Sequence, residues 1–347
     1  MFSTMTKKGS FVNTILVTGV AGFIGFHLAK RLLKEGNTVV GLDNINDYYD
    51  IGLKEARLKH LLSENGFKWH RADITDVAKL ESIFAESKPQ FVINLAAQAG
   101  VRHSIKYPHS YIQSNVVGFM NVLECCRHAK IEHLVFASSS SVYGANGRVP
   151  FSIHHNVDHP LSIYAATKKS NEMMAHAYSS LYSLPCTGLR FFTVYGPWGR
   201  PDMAYFSFTK AVLDGKTIDV FNNGNLERDF TYIDDVVSAV IRVMHKIPAG
   251  NTAWRAESPD PATSYAPYRL YNVGNHTPVK LSRFIEIIEK QLCRKAQKNY
   301  LPMQAGEVLM TYADVGDLIS DINYQPSTSI EDGIASFISW YKDYYLK

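Results

Sequence analysis

The residues with the clearest chemical potential are a tyrosine and a lysine, Tyr164 and Lys168, in the segment 164-YAATK-168. On a helix, residues four apart share one face, so the phenol and the ammonium can point into one site. A free phenol has a pKa near 10, and lowering it to about 7 takes roughly 4 kcal/mol of preference for the phenolate. A neighbouring positive charge is a suitable source of that preference. The pair therefore indicates acid–base chemistry, although the pentapeptide alone is common.

A run of four serines lies upstream, where the apolar segment 136-FASSSSVYG-144 ends. Four consecutive hydroxyl groups stabilise neither a helix nor a sheet, so their role depends on what lies opposite them in the folded chain. For Ser141, a hydrogen bond to the local backbone is the alternative to a binding role.

These residues need a scaffold, and the sequence predicts one between residues 13 and 189. Short apolar runs rich in β-branched residues alternate there with segments of helical period. Such alternation predicts an α/β fold, a Rossmann-type doubly wound parallel sheet with helices on both faces. The predicted strands are 14-TILVTG, 38-TVVGLD, 68-KWHRAD, 91-FVINLAA, 133-HLVFASS and 187-TGLRFF.

The first predicted strand leads into a glycine-rich turn, 18-TGVAGFIG-25, which precedes a predicted helix. Its glycines, Gly19, Gly22 and Gly25, let backbone N–H groups approach a pyrophosphate at the positive helix N-terminus. In this context the turn predicts a dinucleotide site, with a tight packing turn as the alternative.

Two aspartates follow the second and third predicted strands. Asp43 stands 24 residues beyond Gly19. A carboxylate there can accept both hydroxyl groups of an adenosine ribose and would repel a 2′-phosphate, so NAD is favoured over NADP. Asp73 in 72-ADIT can accept from the adenine amino group or can serve as an ordinary helix N-cap.

The chain divides into two parts in this interpretation. We expect residues 13–189 to form an NAD-binding Rossmann domain. Residues 190–347 should form mainly a smaller α/β lobe for the substrate, with segments that return to the first domain. We expect this lobe to lie against the carboxyl edge of the sheet, where such sheets bind ligands.

Composition argues against several other classes of protein. The net charge of +4 and the pI of about 8.7 are mildly basic, and no dense Lys/Arg cluster occurs, so nucleic acid is not an expected partner. No apolar run of about 18 residues predicts a membrane span. The four cysteines lack the spacing of metal ligands, so we expect no metal and a reduced, cytoplasmic protein. They are Cys125, Cys126, Cys186 and Cys293.

Several segments together resemble the extended short-chain dehydrogenase/reductase family, and within it the nucleotide-sugar epimerases that act on UDP-glucuronate. The resemblance begins near residue 13 and covers nearly all of the chain. It is strongest in 42-LDNINDYYDIGLKEARL, 94-NLAAQAGVRHS, 136-FASSSSVYG, 164-YAATK and 190-RFFTVYGPWGRPDMA. It implies a bound NAD, a homodimer, and a catalytic set formed by Ser139, Tyr164 and Lys168.

The resemblance also implies a reaction and a cofactor site. Tyr164 would take the proton of the sugar's 4-hydroxyl while Ser139 hydrogen-bonds it, and a hydride would pass to the nicotinamide and return to the other face. The implied cofactor contacts are Gly19, Gly22, Phe23, Ile24, Gly25, Asp43, Asn44, Asp73, Ile74, Leu95, Ala96, Ala97, Tyr164 and Lys168.

A glucuronate substrate makes a particular demand, because its 4-keto intermediate is a β-keto acid that loses carbon dioxide readily. The family resemblance implies that Ser140, Ser141 and Thr193 hold the carboxylate in a polar setting. Each hydrogen bond to a charged group contributes roughly 1.5–3 kcal/mol, which together is enough to favour glucuronate over a neutral hexose.

A nucleotide diphosphate requires arginine side chains or backbone amides. The resemblance puts Arg228 at the UDP phosphates, and Arg102 and Arg200 beside the substrate cleft. An exposed surface charge is the alternative for each arginine. In 304-QAGEVL, Glu307 replaces an aspartate that meets the ribose in the family.

Several residues disfavour other functions. Thr193 and the serine run disfavour an epimerase of neutral UDP-hexoses or their N-acetyl forms, and UDP-glucuronate decarboxylases usually carry asparagine where Thr193 stands. A 4,6-dehydratase would carry Asp-Glu in place of Ser140 and Ser141. A non-catalytic NAD-sensing module would not need an acidified phenol.

Two predicted helices could join a second copy of the chain. They lie in 112-IQSNVVGFMNVLECC and 169-KSNEMMAHAYSSLY, and their apolar faces suit a four-helix contact between two copies or, equally, an ordinary core. The homodimer is therefore mainly an implication of the family resemblance.

Overall fold

The structure, a computed structural model, describes residues 12–304 and 308–346. Glu307 therefore lies outside the described residues. The strands are β1 Thr14–Thr18, β2 Thr38–Asp43, β3 Phe67–Arg71, β4 Phe91–Asn94, β5 His133–Ser139, β6 Cys186–Phe191, β7 Thr193–Tyr195, β8 Thr217–Phe221, β9 Glu227–Tyr232, β10 Tyr268–Val273, β11 Pro278–Lys280 and β12 Gln297–Leu301.

The helices alternate with these strands. They are α1 Phe23–Lys34, α2 Ile51–Leu62, α3 Val77–Ser87, α4 Val101–Lys106, α5 Pro108–Tyr111, α6 Gly118–Ala129, α7 Ile163–Tyr182, α8 Ala204–Leu213, α9 Ile233–His245, α10 Leu281–Leu292, α11 Gly316–Ile322 and α12 Ile330–Tyr345. A π-helical segment, Ile112–Val117, joins α5 to α6.

Seven strands form one parallel sheet in the order β10-β6-β5-β4-β1-β2-β3. All six strands that the sequence predicts belong to this sheet. The order reverses between β1 and β4, as in doubly wound sheets. The predicted fold class is confirmed, and β10 shows that the second half of the chain also contributes to the sheet.

Alternation of side chains along the strands gives the sheet two apolar faces, as expected for a sheet covered on both sides. Ile15, Val39 and Ile93 face α1 and α9 in one core. Leu16, Val40 and Val92 belong to the other core, with residues of α3 and α6. The helices thus lie on both faces, and only the strand ends remain available for polar groups.

A second, smaller set of elements packs around its own core. It contains β7, β9 and β11 in one sheet and β8 with β12 in another. Phe230, Phe284 and Phe337 lie at the centre of this core, between β9, α10 and α12. Among the residues that the structure describes, none of these helices combines the length and the apolar composition of a membrane span.

Candidate active site

A cavity of about 900 Å³ lies at the carboxyl ends of the parallel strands, where they face the smaller set of elements. Strand ends supply Asp43 of β2, Ser139 of β5 and Phe191 of β6 to its wall. This volume is typical of sites for small molecules and cofactors. The predicted site residues that the structure describes all line this cavity, from the glycine turn to Arg228.

The turn between β1 and α1 is built for close approach of a ligand backbone. Gly19 has a φ angle of +71°, and a Cβ atom there would lie 2.8 Å from the Ala96 nitrogen. A Cβ atom on Gly25 would collide with the Gly19 carbonyl oxygen. No side chain caps α1 at Gly22, so the N–H groups of its first turn can bind an anion. The turn therefore fits the pyrophosphate of NAD.

Asp43 ends β2 beside this turn. Its Oδ2 atom accepts from the Ala21 N–H at 3.1 Å, and its Oδ1 atom accepts from the Ile45 N–H at 2.9 Å. Burial raises the pKa of Asp43, although these hydrogen bonds and Lys54 oppose the rise. A carboxylate fixed in this way on the cavity wall suits the ribose hydroxyl groups of NAD and disfavours a 2′-phosphate.

Asp73 does not cap a helix. Helix α3 is capped by Asp76, whose side chain accepts from the Lys79 N–H at 3.1 Å. Asp73 instead accepts from the Thr75 N–H at 2.8 Å and from Asn44 Nδ2 at 2.7 Å. Although burial alone would raise it, these hydrogen bonds lower the pKa of Asp73. The N-cap alternative is therefore wrong, and the carboxylate remains on the cavity wall.

Tyr164 is the second residue of α7, whose start is fixed because Ser162 Oγ accepts from the Ala165 N–H at 3.1 Å. The Ser139 side chain and the Tyr164 hydroxyl line the same wall of the cavity, and Ser139 favours the ionised form of the phenol. Burial raises the pKa of Tyr164 above 10, and the Ser139 hydroxyl and the Arg200 charge oppose this only in part. Among the groups around the phenol, these two favour the phenolate.

Lys168 lies one turn further along the same face of α7 and is 3% exposed. Its Nζ atom donates to the Ala137 carbonyl oxygen at 2.8 Å, at the end of β5. Burial lowers the pKa of Lys168 to about 8. This side chain therefore loses its proton at a lower pH than an exposed lysine and is still mainly an ammonium at pH 7.

The serine run begins where β5 ends. Ser140–Tyr143 form a single 3₁₀ turn, and Ser139 caps it by accepting from the Ser141 N–H at 3.1 Å. The sequence offers a local backbone hydrogen bond as the alternative role of the Ser141 side chain. In the structure it is the Ser139 side chain that makes such a bond, to the backbone of Ser141. Ser140, Ser141 and Thr193 line the cavity and an adjoining pocket of about 210 Å³.

Arg200 is held in one orientation by a neighbour. Its Nε atom donates to Asp202 Oδ1 at 3.0 Å and its Nη2 atom to Asp202 Oδ2 at 2.5 Å. The guanidinium lies over the Tyr48 ring, with 5.6 Å from Cζ to the ring centroid. Burial lowers the pKa of Arg200, but Asp202 raises it by more, so the side chain stays charged. It therefore adds a fixed positive charge near Tyr164.

Arg57 of α2 joins the Arg200 segment to the glycine turn, a role that sequence reasoning missed. This side chain is fully buried. Its guanidinium donates to the Ala21 carbonyl oxygen at 2.9 Å, and to those of Trp198 at 2.6 Å and Gly199 at 3.2 Å. The cofactor turn and the start of the Arg200 segment are therefore tied through one cation.

Gln98 is a second residue that sequence reasoning missed. It follows the predicted cofactor segment Leu95–Ala97 and lines the cavity. Asn115, in the π-helical segment, fixes its backbone by accepting from the Gln98 N–H at 2.8 Å and donating to the Gln98 carbonyl oxygen at 3.0 Å. Its buried Nε2 atom makes no hydrogen bond of normal geometry within the described part of the chain, although the amide is near enough to the Tyr111 hydroxyl to oppose, in part, the rise that burial causes in the pKa of Tyr111. A buried amide beside a cavity is thus available to a ligand acceptor.

Comparison with known proteins places this site in a family. Residues 15–274 match the NAD dependent epimerase/dehydratase family. The chain belongs to this family. It is therefore an enzyme whose family uses NAD, and the predicted cofactor and family are confirmed.

Individual relatives cover nearly the whole chain. Protein CapI of Staphylococcus aureus is 57% identical over 333 residues, which are 96% of this chain and 99% of that protein. A probable UDP-glucuronate 4-epimerase of Rhizobium meliloti is 47% identical, with 96% of this chain and 98% of that protein covered. A crystal structure of the Bacillus cereus UDP-glucuronic acid 4-epimerase with UDP-glucuronic acid and NAD has a TM-score of 0.82 and 33% identity. The match covers 96% of this chain and 100% of that chain.

Proposed function

We propose that the enzyme inverts C4 of UDP-glucuronate, with bound NAD, and so forms UDP-galacturonate. The main support is that the Ser139–Tyr164 pair and three further hydroxyl groups face one cavity. The pair suits oxidation of a sugar hydroxyl, and Ser140, Ser141 and Thr193 suit a carboxylate one carbon away. The names of the relatives point to the same substrate.

In the proposed reaction Tyr164 accepts the proton of the 4-hydroxyl and later returns it, while Ser139 hydrogen-bonds the same oxygen. NAD, when bound, supplies the hydride chemistry at C4. Burial raises the pKa of Tyr164, whereas the Arg200 charge and a bound, positively charged nicotinamide would both favour the phenolate. Lys168 lines the same wall and orients it through its bond to Ala137.

The carboxylate of the 4-keto intermediate needs strong, directional partners. Three hydroxyl groups on one wall, each contributing roughly 1.5–3 kcal/mol to a charged acceptor, keep it solvated by the protein and out of line with the ketone. Replacing Ser140 and Thr193 by alanine together should weaken binding and release carbon dioxide.

The far end of the cavity suits a nucleotide. Its wall is largely apolar and aromatic and includes Phe208, Phe221, Leu226, Phe230, Val279 and Leu281. Arg102 lies over the Phe221 ring, with 4.9 Å from Cζ to the centroid, and Arg228 lines the same region. A flat base fits the aromatic wall, and two guanidinium groups fit a diphosphate.

The test is to incubate the purified enzyme with UDP-glucuronate, without added cofactor, and to follow the anomeric proton signals by NMR. Appearance of UDP-galacturonate is the expected result. A UDP-pentose as the main product would identify a decarboxylase, and turnover of UDP-glucose alone would identify an epimerase of neutral sugars. If the UDP-glucuronate signals do not change although NAD is bound to the protein, the protein is a non-catalytic NAD-binding module.

We also propose that the enzyme is a homodimer joined through α6 and α7. Large apolar side chains on these helices are exposed, among them Met120 at 36%, Met173 at 63% and Leu181 at 71%. A second copy would cover these side chains, as the family resemblance implies. Light scattering should give twice the chain mass, and Met173→Glu should reduce it to one chain mass. A single chain mass for the wild-type protein would refute the dimer.

A further inference from the structure

A buried carboxylate lies beneath the candidate active site. Glu172 of α7 is 1% exposed. Its Oε1 atom accepts from Ser138 Oγ at 2.7 Å and from Arg190 Nε at 2.8 Å, and its Oε2 atom accepts from Arg190 Nη2 at 2.9 Å. Arg190 is itself fully buried. Ser138, Glu172 and Arg190 form what we call the carboxylate network.

The two strand members of the network are neighbours. Ser138 of β5 and Arg190 of β6 are paired in the parallel register, so one carboxylate spans both strands. Ser138 directly precedes Ser139, and Arg190 stands three residues before Thr193. The serine run and Thr193, which form the proposed carboxylate site, are therefore both close in the chain to a member of this network.

The helix member connects the strands to the catalytic tyrosine. Tyr164, Lys168 and Glu172 stand at intervals of four on α7 and so share a face. The helix is attached to β5 at two successive residues, because Lys168 bonds to Ala137 and Glu172 bonds to Ser138. Two attachments one turn apart set both the position and the rotation of this helix face relative to β5.

We propose that Glu172 is a positioning residue that fixes Tyr164 against the serine run and Thr193. Neither Glu172 nor Arg190 lines the cavity, so both act through the elements that they join. A buried ion pair is seldom more stabilising than an apolar pair of the same volume, but its bidentate hydrogen bonds have a defined geometry. Position is thus the property that this pair supplies.

The network extends to a further strand of the sheet. The Arg190 guanidinium lies over the Tyr143 ring, with 5.0 Å from Cζ to the centroid. The Tyr143 hydroxyl donates to Asn272 Oδ1 of β10 at 2.7 Å. Tyr143 ends the 3₁₀ turn that holds Ser140 and Ser141. The turn is therefore held both at its start, through Ser138, and at its end.

The expected consequence rests on the proposed function. If the serine run and Tyr164 lose their fixed relation, the carboxylate of the 4-keto intermediate is free to rotate into line with the ketone and leave as carbon dioxide. The bond between C5 and the carboxyl carbon breaks, its electron pair passes to the ketone as an enolate, and a proton from water completes a 4-keto pentose. The share of intermediate lost in this way does not depend on how much of the protein is folded.

The experiment measures that share in the NAD-loaded enzyme. UDP-galacturonate and pentose products are separated by chromatography for the wild-type protein, Ser138→Ala and Glu172→Gln. Ser138→Ala removes one hydrogen bond and leaves the ion pair, so it remains informative if Glu172→Gln fails to fold. Asp235→Asn is the matched control, because Asp235 is a buried carboxylate on α9 that accepts from Tyr324 at 2.7 Å and does not line the cavity.

We expect the pentose share to rise about five-fold or more in both network variants, which corresponds to roughly 1 kcal/mol between the competing barriers. The control should leave the share unchanged while it lowers Tm. An unchanged share in both network variants would overturn the inference. If the wild-type enzyme does not convert UDP-glucuronate, the proposed function fails, and a crystal structure of Ser138→Ala then decides the inference. Retention of the wild-type separation between Tyr164 and Ser139 would overturn it, and a displaced Tyr164 would support it.

Discussion

Replacing Lys168 by methionine should make the cofactor-free protein more stable at neutral pH, although Lys168 belongs to the proposed catalytic set. Lys168 is 3% exposed, and none of the ion pairs found in residues 12–304 and 308–346 includes it. Burial lowers its pKa from 10.5 to about 8. The folded state therefore holds the ammonium at a cost that the unfolded chain does not bear.

The size of that cost follows from the pKa shift. For a shift from 10.5 to about 8, the penalty on the folded state is about 3 kcal/mol at pH 7 and about 1 kcal/mol at pH 10. Between pH 8 and 10.5 the unfolded chain binds the proton that the folded protein has released, so this contribution to stability rises with pH. Methionine carries no charge, but it leaves the Ala137 carbonyl oxygen without its donor, which costs about 1–2 kcal/mol.

Together, the lost charge and the lost hydrogen bond predict that the effect of Lys168→Met on the free energy of unfolding changes sign between pH 7 and pH 10. Lys168→Met should raise the free energy of unfolding by about 1–2 kcal/mol at pH 7 and should lower it slightly at pH 10. Urea unfolding of the NAD-free proteins at both pH values measures the difference. Lys59→Met, at an exposed position on α2, is the control and should differ from the wild-type protein equally at both pH values. A Lys168→Met difference that is the same at pH 7 and pH 10 would refute the reasoning.

Three further outcomes are expected. Tyr164→Phe should reduce turnover by about 10²–10⁴-fold with unchanged NAD content. The rate of NADH formation, followed by its absorbance in a single turnover, measures this effect. A rate within a few-fold of the wild-type rate would contradict the assigned base. Asp43→Asn should weaken NAD binding by about 10–100-fold in calorimetry, because the amide cannot accept at both positions as the carboxylate does, whereas exposed Asp47→Asn should not. Gln98→Leu should raise the free energy of unfolding of the ligand-free protein by about 1 kcal/mol, measured in urea. It should also weaken the binding of NAD or of the UDP-sugar, and unchanged affinity for both would exclude Gln98 as a ligand contact.

Local pattern was sufficient to predict the scaffold. The six strands were predictable because runs of β-branched residues between helical segments have few other stable arrangements. The glycine turn was recognisable because its spacing reflects backbone contacts, such as that between Gly25 and the Gly19 carbonyl oxygen. Asp73 shows where pattern fails, since Asp76 is also suitable as a cap and the sequence does not indicate which one the helix uses.

Properties that depend on burial or on distant partners were not predictable. The spacing of Tyr164 and Lys168 places them on one face, but only the structure shows that burial raises the pKa of one and lowers that of the other. Glu172 stands 34 residues from Ser138 and 18 from Arg190, and the sheet register alone brings the three together.

Arg57 has a practical consequence for protein engineering. Its guanidinium is bonded to carbonyl oxygens of the first turn and of the Trp198–Gly199 segment, which lie in different parts of the chain. A chimera that takes residues 190–347 from one relative and the preceding residues from another would therefore have to preserve this three-way junction. A chimera that gains a new substrate preference but lacks a matching α2 should therefore bind its cofactor less tightly.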